Sequence, residues 1–340
     1  MTTDTKIAAP YRKDPEDEAF LARLNDWLVQ HQEMCYRDLP ETYPTLFVIG
    51  APRSGTTLLM QLITSHLRVG YINNLIAAFW KAPEIGIRLS KKLLPLGMAS
   101  SYQSNFGRTV GINEPHEFGY FWRDLLGEYA MEQPIDPAQD IIDWERVRRV
   151  LLNMSHAFGL PVVYKTVQLS WRIEAIARVL PHACFIRIRR DPVQNALSIL
   201  QYRRTFFGDQ EHWGSAKPNA YHWLKNEPYW KQVAGQVYFL EQETSRQIAA
   251  IGGRNVLELD YQRLCDTPRQ VLDDITALLR ANGGDVEHLS TPPDCFSPRQ
   301  RGTDADLAKV QAAVYEFYGS AASTIDLIGN PKPHPPTLSP

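Results

Sequence analysis

Leu46-Phe47-Val48-Ile49-Gly50-Ala51-Pro52-Arg53-Ser54-Gly55-Thr56-Thr57 decides the fold of this chain. Four apolar residues suited to a buried strand run into a turn holding one proline and two glycines. Two threonines follow, then an apolar helical pattern of Leu58, Leu59, Leu62 and Ile63. Strand, tight loop and helix together present a row of backbone N–H groups to a phosphate, and the helix dipole adds about half a positive charge there. The spacing from Gly50 to Gly55 is that of a nucleoside triphosphate loop, but Thr56 stands where such a loop carries its lysine. The segment therefore reads as a cradle for one nucleotide phosphate rather than a clamp for a β/γ pair with magnesium.

Outward from this loop, strands alternate with helices. Val162-Val163-Tyr164 reads as a short buried strand, Ala183–Ile188 as another and Val256–Leu259 as a third. Helices are expected over 18–34, 57–67, 172–180 and 229–250, from Pro115, and around Trp144–Phe158. Asp191-Pro192 opens a further helix, with Asp as N-cap and Pro in the first turn. Thr267-Pro268-Arg269-Gln270 has the form of a capping box before an inward face of Val271, Leu272, Ile275, Leu278 and Leu279. Residues 204–230, aromatic and broken by Gly and Pro, suggest a loop or lid over an acceptor with an apolar body. The implied fold is α/β: three layers, a central mainly parallel sheet flanked by helices, like that of P-loop NTPases. No linker divides the middle, so one domain over 1–340 is expected, with 1–17 and 330–340 loose.

Composition excludes several classes. The 340 residues are 44% hydrophobic and 22% charged, enough for a large core. A net charge of −2 gives no support to nucleic-acid or anionic-membrane partners. No apolar run approaches the roughly 18–20 residues of a membrane span. Cys35, Cys184, Cys265 and Cys295 are widely separated, with neither disulfide nor zinc spacing, which points to a reducing cytoplasm.

A second phosphate signal lies in Phe185-Ile186-Arg187-Ile188-Arg189-Arg190-Asp191-Pro192. Basic residues end a strand, and Ser198 follows Arg190 about two turns into the next helix. An Arg at a strand's carboxyl end and a Ser on the following helix can share one anion beside the phosphate loop. Two anion sites suggest a nucleotide with phosphates at both ends.

With these two motifs in order, the chain resembles the nucleotide-dependent sulfotransferases, whose donor is 3′-phosphoadenosine 5′-phosphosulfate. Pro52-Arg53-Ser54-Gly55-Thr56-Thr57 looks like their 5′-phosphosulfate loop, and Arg190 to Ser198 like their 3′-phosphate motif. Leu259-Asp260-Tyr261 is similar to a segment that packs near the adenine, and Arg299-Gln300-Arg301-Gly302 loosely resembles their C-terminal phosphate clamp. The likeness runs from about 45 to 302 in short islands. It implies donor contacts from Arg53, Ser54, Gly55, Thr56, Thr57, Arg190, Ser198, Tyr261, Arg301 and Gly302, with no metal. Lys165, ending its strand, matches a lysine that faces the transferred group. Arg53 is similar to the tyrosylprotein and bacterial branches, the cytosolic branch having Lys there.

The family's bases are not matched. Val167 stands where the cytosolic branch has its His, and Asn73 and Asn74 stand nearest the tyrosylprotein Glu. The candidate cluster is Asn113-Glu114-Pro115-His116-Glu117. Pro115 in a first helical turn would put His116 at a helix N-terminus, where the dipole keeps imidazole neutral. Glu114 and Glu117 are candidates too, with pKa values depressed by the same dipole and so weaker as bases; the alternative is that Glu114 as N-cap and Glu117 at N3 cap that helix. The chemistry implied is in-line transfer of a sulfuryl group to an acceptor hydroxyl, on a small molecule or a carrier. A phosphoryl-transferring P-loop kinase and a non-catalytic nucleotide-binding protein remain as alternatives. Oligomeric state is not legible.

Overall fold

The computed structural model describes residues 7–127, 141–298 and 304–319. In chain order the strands are β1 (Thr45–Ile49), β2 (Gly70–Tyr71), β3 (Val162–Lys165), β4 (Cys184–Arg189) and β5 (Val256–Asp260). The helices are α1 (Pro15–Cys35), α2 (Thr56–His66), α3 (Asn74–Ala77), α4 (Pro83–Leu93), α5 (Gly119–Leu126), α6 (Trp144–Phe158), α7 (Ile173–Val179), α8 (Pro192–Phe207), α9 (Tyr221–Leu224), α10 (Tyr229–Ala250), α11 (Tyr261–Asp266), α12 (Pro268–Ala281) and α13 (Asp304–Tyr318). The sheet order is β2-β3-β1-β4-β5 and every pairing is parallel.

The alternation of side chains along β1 explains why helices cover both faces. Phe47 and Ile49 join Tyr164, Phe185 and residues of α5, α6 and α7 on one face. The Phe47 ring stacks between Tyr164 at 5.8 Å and Phe185 at 5.6 Å. Leu46 and Val48 face the other way, with Val163, Ile186 and residues of α2 and α12. All five β1 residues are buried, as a central parallel strand requires.

Register fixes the site. Val48 lies opposite both Lys165 and Ile186, so β1, β3 and β4 end at nearly the same level. The loop after β1, the last residue of β3 and the arginines ending β4 therefore open at one edge, where parallel α/β sheets bind ligands.

Several expectations need correcting. Within the stretch expected to be loose, a 3₁₀ turn covers Ala9–Tyr11 and α1 starts at Pro15 with Asp14 as cap; residues 1–6 lie outside the described residues. No helix starts at Pro115. That residue pairs with Asn73 in an antiparallel bridge, and α5 begins at Gly119 after a left-handed Phe118. Glu114 and Glu117 thus cap nothing. Thr267 precedes α12 but its hydroxyl turns back to the Arg263 carbonyl, so the capping box does not form. The proposed lid is partly helical, because α8 runs to Phe207 and α9 covers Tyr221–Leu224. Residues 330–340 lie outside the described residues.

Candidate active site

Gly55 ends the loop as the N-cap of α2, with φ +112°, a conformation open mainly to glycine. A side chain there would also strike the Tyr261 ring, 2.4 Å from where its Cβ would stand. Arg53 holds φ +70°, a strained backbone for a non-glycine residue and costing about 1–3 kcal/mol. Neighbouring elements maintain it. Asn195 Nδ2 donates to the Pro52 carbonyl at 2.6 Å, Arg190 Nη1 to the Arg53 carbonyl at 3.3 Å, and the Gly50 N–H to Ser170 Oγ at 3.2 Å.

A cleft of about 390 Å³ opens over this loop. Arg53, Gly55, Thr56, Thr57, Arg190, Ser198, Tyr261 and Glu117 line it together. Arg53 Nε lies 3.5 Å from Ser198 Oγ, and the Arg190 guanidinium sits 4.6 Å over the Tyr261 ring. Ser54 is fully buried within the loop, and its hydroxyl has no hydrogen-bond partner among the described residues. Arg301 and Gly302 lie outside the described residues.

Lys165 is the hinge of the arrangement. It is 5% exposed; its Nζ donates to Thr57 Oγ1 at 2.8 Å and pairs with Glu117 Oε1 at 2.6 Å. The Glu117 side chain is 48% accessible, through the cleft it lines. Desolvation pushes its carboxyl pKa up, but the charge and hydrogen bond of Lys165, with His116 and Arg53, outweigh this and hold it below the usual range.

His116 and Glu114 are not among the residues lining the cleft. His116 is not at a helix N-terminus: its Nδ1 accepts from the Phe118 N–H at 2.8 Å and its N–H donates to the Ile72 carbonyl. Desolvation, reinforced by the charges of Lys165, Lys13 and Arg108 against that of Glu117, pulls its pKa down to about 4. Glu114 is buried and accepts from Ser100 Oγ, the Ser101 N–H at 2.7 Å and Gln61 Nε2 at 2.9 Å. It pins the 100–103 segment to α2, and so fixes the wall carrying Tyr102. Asn73 caps α3 and Asn74 binds the Gly111 carbonyl, so both serve loops.

Other residues that line the cleft or brace its loop escaped sequence reading. Asn195 shares one face of α8 with Ser198, Ile199 and Tyr202, a spacing of three, four and seven that could have found it. Tyr102, Phe106 and Phe296 reach the cleft from irregular segments with no periodic signal. Of the expected aromatic lid, Tyr202 lines the cleft, whereas Trp213 packs on Tyr221 at 4.8 Å and over the Arg203 guanidinium at 4.7 Å.

The cleft thus gathers backbone N–H groups, two arginines and hydroxyls around one carboxylate, and the buried Lys165 ammonium backs that carboxylate and Thr57. That donor set suits an anion with two charged ends, and the carboxylate suits a proton acceptor.

The family model described as the sulfotransferase family matches residues 44–282. No curated protein matches the chain. Among solved structures, sulfotransferase STF9 from Mycobacterium avium aligns at 15% identity, covering 89% of this chain and 78% of its own, with a TM-score of 0.48. Sulfotransferase STF1 from Mycobacterium tuberculosis H37Rv aligns at 14% identity, covering 82% and 79%, with a TM-score of 0.49. The sulfotransferase domain from the curacin biosynthetic pathway aligns at 16% identity, covering 80% and 83%, with a TM-score of 0.40. Among the described residues, no helix is long and apolar enough to cross a membrane.

Proposed function

The chain belongs to the sulfotransferase family, and we propose that it moves the sulfuryl group of 3′-phosphoadenosine 5′-phosphosulfate to an acceptor hydroxyl, with Glu117 as general base. The observation that carries this reading is the single cleft joining Arg190 and Ser198 to the loop at 53–57, with Lys165 bridging Thr57 and Glu117.

In this reading the amides of Arg53 to Thr57 and the α2 dipole hold the 5′-phosphate. Arg190 and Ser198 hold the 3′-phosphate and Tyr261 packs beside it. The acceptor oxygen attacks sulfur in line while its proton passes to Glu117. The new O–S bond forms as the bond from sulfur to the bridging phosphate oxygen breaks, and charge grows on that oxygen. Lys165 and Arg53 stabilise it, each such fixed donor contributing about 3–4 kcal/mol. Lys165 exchanges Glu117 for the donor, which frees the carboxylate to accept the proton. Arg301 and Gly302 would complete the 3′-phosphate site. The acceptor is a small molecule or a carrier-borne group with an apolar part, suited to the Phe106 and Tyr202 walls. The free cysteines fit a reducing compartment, the cytoplasm.

Incubation with the donor labelled in its sulfate, over a panel of hydroxyl compounds, tests the reading. A labelled sulfate ester is expected; label transfer from ATP in its place contradicts it.

A further inference from the structure

A 3₁₀ turn, Val167–Trp171, follows directly on Lys165 and Thr166 and is fixed from several sides. Ser170 Oγ accepts from the Gly50 N–H at 3.2 Å, which ties the turn to the first residue of the phosphate loop. Trp171 is buried with Ala216 and with Leu240 of α10. Arg172 Nη1 donates to the Gln168 carbonyl at 2.9 Å, which closes the turn on itself. Leu169 and Ser170 are buried, whereas Val167 and Gln168 line the cleft.

Gln168 is the polar member of that pair. Its Oε1 accepts from Thr166 Oγ1 at 2.7 Å, and Thr166 is itself buried. The amide is thereby turned one way. Its oxygen faces back to the end of β3, and the two N–H bonds of Nε2 are what the side chain offers the cleft, with no partner among the described residues. These donors stand on the segment that leaves Lys165. Three residues span at most about 10 Å, and Lys165 Nζ already touches Thr57 Oγ1 and Glu117 Oε1. Gln168 shares the cleft with both of those residues, where the reading above places the transferred group.

We infer that Gln168 is a further catalytic residue: its Nε2 donates to an oxygen of the sulfuryl group and holds that group in line between the leaving phosphate and the acceptor, with Thr166 as its positioning residue. This rests on the donor reading of the cleft and is independent of which group is the base. The sulfuryl group spreads one negative charge over its oxygens. A neutral amide holds it without competing for the charge that grows on the bridging oxygen, which is left to Lys165 and Arg53. The bond from Thr166 matters because an amide free to turn would present its oxygen, an acceptor, to an anionic group.

The test is titration calorimetry of the full chain, without acceptor, with two ligands that differ by the sulfuryl group: 3′-phosphoadenosine 5′-phosphosulfate and adenosine 3′,5′-bisphosphate. Gln168→Leu removes a hydrogen bond to a charged group, so it is expected to weaken the phosphosulfate about tenfold and to leave the bisphosphate within about twofold of native. Gln168→Glu sets a carboxylate against the sulfuryl charge and is expected to weaken the phosphosulfate further than Gln168→Leu does. Thr166→Val frees the amide and is expected to weaken the phosphosulfate about threefold, while Thr166→Ser, which keeps the hydroxyl, binds it as the native chain does. A role in packing alone would weaken both ligands alike. That result, or phosphosulfate bound as tightly by Gln168→Leu as by the native chain, overturns the inference. Native protein that fails to bind the bisphosphate would instead overturn the donor reading beneath it.

Discussion

Lys165 Nζ lies 2.6 Å from Glu117 Oε1, and the pair sits where the phosphate loop meets the cleft. One is the last residue of a buried strand; the other comes from an irregular segment almost fifty residues earlier in the chain. Neither alone defines chemistry. Together they place a cation for the leaving oxygen beside an acceptor for the incoming proton.

Glu117→Gln removes the proton acceptor and keeps the shape. It is expected to lower kcat by about 10²–10⁴-fold, with bisphosphate affinity changed little. His116→Asn is expected to stay within about threefold of native kcat, because His116 does not line the cleft. Steady-state rates and calorimetry on both variants check this, and the reverse pattern would move the base to His116.

The pH profile carries the sign of the pairing. Lys165 holds the Glu117 pKa below its usual range, so the base is ionised at and above ordinary glutamate pH, about 4.3. The acid limb of kcat/KM therefore falls below that value, and the rate stays flat through neutrality. Lys165→Met removes the largest lowering influence and leaves desolvation opposed only by His116 and Arg53, so the limb moves to higher pH. A limb unmoved in the residual activity of Lys165→Met contradicts the pairing as its cause.

Arg190→Ala is expected to weaken adenosine 3′,5′-bisphosphate binding about tenfold or more, the loss of a charge-assisted bond of about 1.5–3 kcal/mol. The fold should persist, since Arg190 packs on Tyr261 at the rim of the sheet. Circular dichroism with titration calorimetry separates the two effects; unchanged affinity would remove Arg190 from the donor site.

Glu114→Gln probes structure rather than chemistry. Gln can accept at one oxygen only, where the carboxylate receives Ser100, Ser101 and Gln61. A buried donor left unpaired costs about 1–3 kcal/mol, so thermal denaturation is expected to show a lowered midpoint with bisphosphate affinity nearly intact. An unchanged midpoint would show that the 100–103 wall does not depend on this carboxylate.

What the sequence disclosed follows from the range of the signal. Val48, Gly55 and Leu59 belong to one continuous strand-loop-helix, whose periodicity and glycines are local. Asp191 announced α8 because a cap is local too, and its side chain does accept from the Gln194 N–H. β2 is only Gly70–Tyr71, too short for any period, and exists because Gly70 pairs with Val162 ninety-odd residues away. Pro115 misled for the same reason: its bridge to Asn73 is a long-range contact that overrode a local helix preference. Glu117 was legible as one member of an acidic cluster, but nothing near it in the chain announced Lys165.

The central claim is that two anion sites in one cleft define the donor. Titration calorimetry of the native chain with adenosine 3′,5′-bisphosphate, against ATP with magnesium, measures it most directly. Two extra charge-assisted contacts at the 3′ end predict that the bisphosphate binds about a hundredfold more tightly. Equal affinity, or preference for ATP with magnesium, would contradict the account.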